Sequence, residues 1–289
     1  MQPHHLSILG VGLLGGSIGL AVRAAAMPLR IVGYGHRAAT LHKAREYGAI
    51  DEGYEDLSRA VRDADLVILC TPVGLFGDTL RRIGPELKPG AVVTDVGSTK
   101  RSVVRQAEEV LPPGVRFVGS HPMAGSEKRG IEFARADLFQ NALCITTPTP
   151  RTDAEALKNV EAFWTTIGMR TCRLSPEEHD RLLADVSHLP HAVAAALVGL
   201  QEEAALPLAG KGFLDATRIA GGDGGLWRDI LLDNRDNVRA AVQRLKNRLD
   251  SLATMLERGE EEAVKQWLDA AAARREELVR QKLRELGGE

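Results

Sequence analysis

Three glycines at fixed spacing near the amino terminus limit what this chain can fold into more than any other feature. Leu6 to Leu9 is a short apolar run. Gly10-x-Gly12-x-x-Gly15 follows it at once and opens onto Ile18, Leu20, Ala21 and Val22, after which comes a second strand-like run, Arg30 to Tyr34. Gly10 permits a tight strand-to-helix turn, Gly12 lets the backbone approach a pyrophosphate, and Gly15 lets the helix lie close against the strand. The phosphates would rest on unpaired N–H groups at the helix start. Such spacing is a weak signal by itself in a chain with 29 glycines among 289 residues, and the strand-turn-helix-strand context is what strengthens it. The candidate cofactor loop is Gly10, Gly12, Leu13, Leu14 and Gly15, joined by Thr71 at the end of a later strand.

Strand and helix patterns alternate onward from there. Leu66 to Cys70 is a buried parallel strand stopped by Thr71-Pro72, and Ala91 to Asp95, Val115 to Val118, Leu143 to Thr147 and Met169 to Leu174 extend the series, with helices at Thr40 to Tyr47 and Asp153 to Ile167. Alternation of this kind implies a doubly wound α/β sheet whose ligands collect at the carboxyl ends of its strands. After Leu174 no strand pattern is convincing. Ser175-Pro176-Glu177-Glu178 is a helix start, and Ala192 to Leu200 is apolar nearly all round, as in a helix buried in a core or a subunit interface. Val238, Val242, Leu245, Leu249, Leu252 and Leu256 form a short heptad-like stripe, and Arg274 to Glu289 reads as a solvated helix end. The expected organisation is a dinucleotide-binding domain over 1–174 and an all-α helical substrate and dimerisation domain over 175–289.

The charge balance, 37 Lys and Arg against 39 Asp and Glu, gives no steering toward nucleic acid or an anionic membrane. Apolar stretches are broken by Gly, His or charge before a membrane span is reached, so a soluble cytoplasmic protein is expected. Cys70, Cys144 and Cys172 are widely spaced in strand-like runs, which fits reduced thiols, and the sequence shows no metal-ligand cluster.

In this fold an acidic residue about 20 positions beyond the glycines usually takes the ribose hydroxyls of NAD. Here that position falls on Gly35, followed by His36 and Arg37. A missing carboxylate removes repulsion against a 2′-phosphate, and Arg37 offers it a bidentate partner, so NADP is favoured over NAD.

Polar groups recur where a plain turn would not need them: Asp95-Val96-Gly97-Ser98-Thr99-Lys100 and Gly119-Ser120-His121-Pro122 after strands, Ser187-His188-Leu189-Pro190-His191 beside a proline kink, and Asp215-Ala216-Thr217-Arg218. Each alone has an ordinary reading, as a cap, a backbone-bonded histidine or a surface ion pair. Together they resemble the prephenate and arogenate dehydrogenase family of tyrosine biosynthesis. The likeness rests on the G-x-G-x-x-G-G-S opening, Asp95-x-Gly97-Ser98-x-Lys100, His121-Pro122-Met123-Ala124-Gly125-Ser126-Glu127-Lys128, Ser187-His188-x-Pro190-His191, Thr217-Arg218-Ile219-Ala220 and Trp227-Arg228-Asp229-Ile230.

The resemblance implies a Rossmann-type domain followed by a helical domain, a stand-alone enzyme with no mutase or regulatory module, and a homodimer paired through the helical domain. It also implies His121 as the catalytic base oriented by Ser98, Arg218 on a substrate carboxylate, His191 contacting substrate, and Glu127 with Asp215 in a polar network near the entrance. Prephenate is preferred to arogenate because Arg129, beside Glu127-Lys128, disfavours the extra ammonium. The alternatives are a β-hydroxyacid or 6-phosphogluconate-type dehydrogenase, whose catalytic lysine has no counterpart among these histidines, and a nicotinamide-binding regulatory protein without turnover.

Overall fold

The computed structural model describes residues 3–126 and 128–287, the last three of them by backbone alone. The chain runs β1 (His5–Leu9), α1 (Leu13–Ala24), β2 (Arg30–Tyr34), α2 (Ala38–Glu46), β3 (Glu52–Tyr54), α3 (Leu57–Val61), β4 (Leu66–Leu69), α4 (Phe76–Ile83), β5 (Val92–Asp95), α5 (Arg101–Val110), β6 (Arg116–Pro122), β7 (Leu143–Thr147), α6 (Ala154–Thr166) and β8 (Arg170–Arg173). One sheet forms in the order β3-β2-β1-β4-β5-β6-β7-β8, parallel except where β7 meets β6. Successive strand residues face opposite sides, so a strand covered on both faces must be apolar throughout. Ile8 and Ile68 accordingly enter one core with Ile18, Phe139 and Trp164, while Leu9 and Leu69 enter the other with Phe76, Leu80 and Val93.

One strand end departs from the expected pattern. Val115 to Val118 reads as the strand and His121 as part of the loop after it, yet β6 continues to Pro122. The antiparallel partner β7 supplies ladder positions for exactly this extension, with His121 opposite Ile145 and Pro122 opposite Cys144. His121 therefore stands on a strand, with its backbone paired to β7 at Ile145.

The helical region begins with α7 (Pro176–Leu183), capped by the Ser175 hydroxyl, which accepts from the Glu178 N–H at 3.1 Å. A single π-helical turn, Ala184–His188, joins it to α8 (Leu189–Gly199). The expected proline kink is thus a widened turn, which accommodates the ring and missing N–H of Pro190 without ending the helix. The joined helix, Pro176–Gly199, is long and apolar enough to cross a membrane by length and composition, with an 18-residue window of mean hydropathy 1.3, contrary to the reading that no stretch reaches that length. It nevertheless carries His179, Asp180, His188 and His191 buried on the side that meets the rest of the chain, although only 28% of that window is buried. Of the two readings of Ala192 to Leu200, core or subunit interface, burial in the core of this chain does not hold at the far end, where Leu197, Val198 and Leu200 are exposed.

Then follow α9 (Lys211–Thr217), a 3-10 turn Arg218–Gly221, α10 (Gly224–Asp233), α11 (Arg235–Glu257) and α12 (Glu261–Gly287). Strands end at Arg173, but compactness does not. Because α7 packs on α5 and β7, and α10 on the 3-10 turn Val73–Leu75, one compact unit extends to Arg235 and a second begins at Asp236. In that second unit the Arg248 guanidinium lies over the Trp267 ring at 4.8 Å, while Leu249 and Leu256 of the α11 stripe are exposed.

Candidate active site

The glycine loop has the geometry its spacing implies. Gly10 adopts φ +108°, and a Cβ there would lie 2.8 Å from the Cys70 carbonyl oxygen. A Cβ on Gly15 would lie 2.0 Å from the Gly10 carbonyl oxygen, so helix and strand could not approach as they do. Beside Gly12, by contrast, the space is open. Gly12 is also the residue before α1, whose start has no side-chain cap and no acidic residue in its first turn, formed by Leu13 and Leu14. Unpaired N–H groups facing open space suit a dinucleotide pyrophosphate. Thr71, one residue past the Cys70 that meets Gly10, buries a hydroxyl with no hydrogen-bond partner among the described residues. At the end of β2, Gly35 has room for a side chain, its nearest contact being Leu41 at 3.4 Å, and His36 and Arg37 are exposed.

The ends of β5 and β6 are tied together below the site. Asp95 and Lys100 form an ion pair in which both side chains are wholly buried. Asp95 also accepts from the N–H groups of Gly97 (2.8 Å) and Ser120 (3.0 Å), so its charge is compensated on every side. The Ser120 hydroxyl accepts from Trp164 Nε1 at 3.2 Å and lies 2.9 Å from that of Thr94. This network fixes the loop bearing Ser98 against the strand bearing His121.

His121 Nδ1 lies 2.9 Å from His179 Nε2, and His179 Nδ1 lies 2.8 Å from Asp180 Oδ1. Asp180 in turn accepts from the backbone N–H groups of Lys100 (2.8 Å) and Arg101 (3.0 Å), capping α5 from another part of the chain. Asn234 donates to the Asp180 carbonyl at 2.6 Å and to His188 Nδ1 at 3.1 Å. The resemblance assigns the orientation of His121 to Ser98; in the structure its ring Nδ1 shares a hydrogen bond with His179 Nε2.

Burial, then the neighbouring His179, Lys100 and His188, holds His121 well below the usual histidine range, so the ring is neutral. His179 is lowered by burial, against the pull of Asp180. Burial alone would raise Asp180, but bonds from His179 and the two backbone N–H groups outweigh it and keep the carboxylate ionised.

Burial pushes His188 down to about 4. A histidine kept neutral in the fold contributes nothing to pH dependence above its unfolded value, and the fold loses stability as the pH falls below it, because only the unfolded chain takes up the proton. Between pH ~6.5 and ~4 this one residue should remove about 3 kcal/mol, with His121 and His179 acting in the same direction. Urea unfolding midpoints across roughly pH 6.5 to 5, above most carboxylate titration, will read it. A midpoint constant over that interval would contradict the assignment.

His191 is buried and stacks on Trp227, centroids 3.5 Å apart and planes within 12°; its Nδ1 is buried with no hydrogen-bond partner among the described residues. Trp227 also meets His188 edge to face at 6.4 Å. Arg218 opens the 3-10 turn that packs on α8, and Asp215 lies exposed on α9 just before it. Arg129 pairs with Asp223, and Glu127 lies outside the described residues. Sequence reasoning missed His179, Asp180 and Asn234. A His-Asp pair in the first turns after a good cap looks like an ordinary helix face, and only the β6 extension brings His121 to it.

Two family models match the chain: the prephenate dehydrogenase nucleotide-binding domain over residues 18–173, and the prephenate dehydrogenase dimerization domain over 175–270. The prephenate dehydrogenase of Bacillus subtilis (strain 168) is 36% identical over 283 residues, covering 95% of this chain and 76% of that protein. The structure of Aquifex aeolicus prephenate dehydrogenase in complex with hydroxyphenyl propionate and NAD+ superposes with a TM-score of 0.90 at 35% identity, covering 96% of this chain and 99% of that one. Synechocystis arogenate dehydrogenase gives 0.81 at 30% identity, covering 95% and 99%.

Proposed function

Since the chain belongs to the prephenate dehydrogenase family, we propose that it oxidatively decarboxylates prephenate to 4-hydroxyphenylpyruvate with a nicotinamide cofactor, in tyrosine biosynthesis. The observation that carries this reading is a buried, neutral His121 on β6, a strand of the same sheet whose glycine loop suits a dinucleotide. Prephenate has a ring carboxylate at C1, a hydroxyl at C4 and a pyruvyl side chain. The cofactor, when bound, accepts the hydride from C4, and loss of carbon dioxide from C1 then leaves an aromatic ring.

The protein's part is positioning and one proton. His121 accepts the proton of the C4 hydroxyl as the carbonyl forms, a task for an imidazole neutral at working pH. Ser98, on the loop after β5, orients the reacting groups, and Arg218 binds a substrate carboxylate. His191, held flat against Trp227, contacts the substrate through the helical region, with Asp215 in the polar network at the entrance. The boundary near residue 174 then separates cofactor-binding from substrate-binding parts. The exposed apolar end of α8 and the α11 stripe support a homodimer, and a cytoplasmic location belongs to the same reading.

Arogenate is the second substrate to weigh, because a relative of similar likeness acts on it. Initial rates of nicotinamide reduction with prephenate and with arogenate decide between them. A higher kcat/KM for prephenate is expected, and no reduction with either would overturn the proposed activity.

NADP is the preferred cofactor in this reading, because Arg37 is exposed beside Gly35 and engages no ion pair among the described residues. A single charged contact of this kind should give NADP about a ten- to hundredfold advantage in kcat/KM. Arg37→Ala should remove it and leave NAD nearly untouched, while Gly35→Asp, whose Cβ would make ordinary contacts with Leu41 and Val11, should reverse the preference. Equal loss for both cofactors in Arg37→Ala, or a wild-type preference for NAD, would contradict it.

A further inference from the structure

We infer that His179 and Asp180 are positioning residues that fix the proton of the His121 ring on Nδ1 and so leave Nε2 as the only atom able to accept the substrate's proton. The substrate half of this inference rests on the function proposed above. The tautomer half rests on the hydrogen-bond geometry together with the burial of His179 near the Lys100 charge.

A carboxylate can only accept, so the 2.8 Å contact to Asp180 Oδ1 requires a hydrogen on His179 Nδ1. With His179 neutral, its Nε2 is a lone pair. The 2.9 Å contact between that lone pair and His121 Nδ1 then requires the hydrogen to belong to His121 Nδ1. His121 Nε2 is left unprotonated, and no described residue hydrogen-bonds to it. Were His179 protonated instead, its Nε2–H would donate to His121 Nδ1 and force the His121 hydrogen onto Nε2, the wrong state for a base.

The surroundings decide which state holds. His179 is wholly buried, and the Lys100 ammonium and His188 lie among its neighbours, so a second positive charge is disfavoured. Asp95 is committed to Lys100, leaving Asp180 as the carboxylate that bonds the relay. Asp180 is itself held by two backbone N–H groups at the start of α5, which stabilise its charge and keep it from rotating away.

In the step itself the substrate O–H bond breaks, an N–H bond forms at His121 Nε2, and the O–H electron pair becomes the second bond of the carbonyl as hydride leaves C4 for the nicotinamide. His121 becomes an imidazolium in a buried place. Its Nδ1–H bond to His179, backed by Asp180, offsets that charge without any further proton moving.

The test combines nitrogen-15 NMR of the histidine rings with two variants of the full-length chain. In the wild type near neutral pH, His121 should show a protonated Nδ1 and an unprotonated Nε2. His179→Leu should lower kcat about ten- to a thousandfold while KM stays within a few-fold, and should abolish the single tautomer. His179→Gln, whose side-chain oxygen can accept from Nδ1–H, should keep the tautomer and recover at least about tenfold of the lost kcat. A wild-type His121 protonated on Nε2, a leucine variant with unchanged kcat, or a glutamine variant no better than leucine would overturn the inference. Should His179→Leu fail to fold, the wild-type and glutamine spectra still decide it. A correct tautomer in a protein that oxidises neither substrate would refute the proposed function and leave the positioning pair standing.

Discussion

His121→Asn should leave prephenate binding within a few-fold and lower turnover by about two to four orders of magnitude, the usual size of a lost acid-base contribution. Asparagine is close in size and polar, so the β6–β7 ladder at this position, with its partner Ile145, should persist. What it lacks is a neutral nitrogen of suitable basicity. The bond to His179 would also be disturbed, but His179 keeps its link to Asp180 and thereby its place in α7. Steady-state kcat and KM for prephenate at saturating cofactor separate the two effects. Near-normal turnover would remove His121 from the chemistry; a large rise in KM with turnover intact would make it a binding residue.

Arg218→Ala should act the other way, on KM, because a charged hydrogen bond to a carboxylate is lost and the anion is left without its partner. A rise of about thirty- to a thousandfold is expected, with kcat reduced far less. Arg218 is itself exposed, at the start of a 3-10 turn that packs on α8. Truncation there should cost little in stability, and a melting temperature close to wild type is part of the expected result. An unchanged KM would assign Arg218 to a structural ion pair.

Much of the fold was legible because glycine spacing and apolar runs are local signals. The β2 and β7 limits coincide with the runs Arg30 to Tyr34 and Leu143 to Thr147, and the close approach at Gly15 follows from the spacing alone. Less legible was anything set by a partner distant in sequence. β3, at Glu52–Tyr54, carries no apolar run and exists because β2 offers it an edge. The extension of β6 to Pro122 depends on β7, and the π turn at Ala184–His188 on how Pro190 is accommodated. The site divides the same way. His121 and His191 stood out through their motifs, whereas Asp180 finds its role only through backbone N–H groups about 80 residues earlier, a separation no local pattern encodes.

One site should remove both hydride and carbon dioxide from the same molecule. Prephenate carrying a heavy-carbon label in its ring carboxylate, turned over by the full-length protein, reads this directly. One equivalent of labelled carbon dioxide is expected for each reduced nicotinamide, with 4-hydroxyphenylpyruvate as the organic product. Cofactor reduction without release of the label, or a product that retains the ring carboxylate, would contradict it.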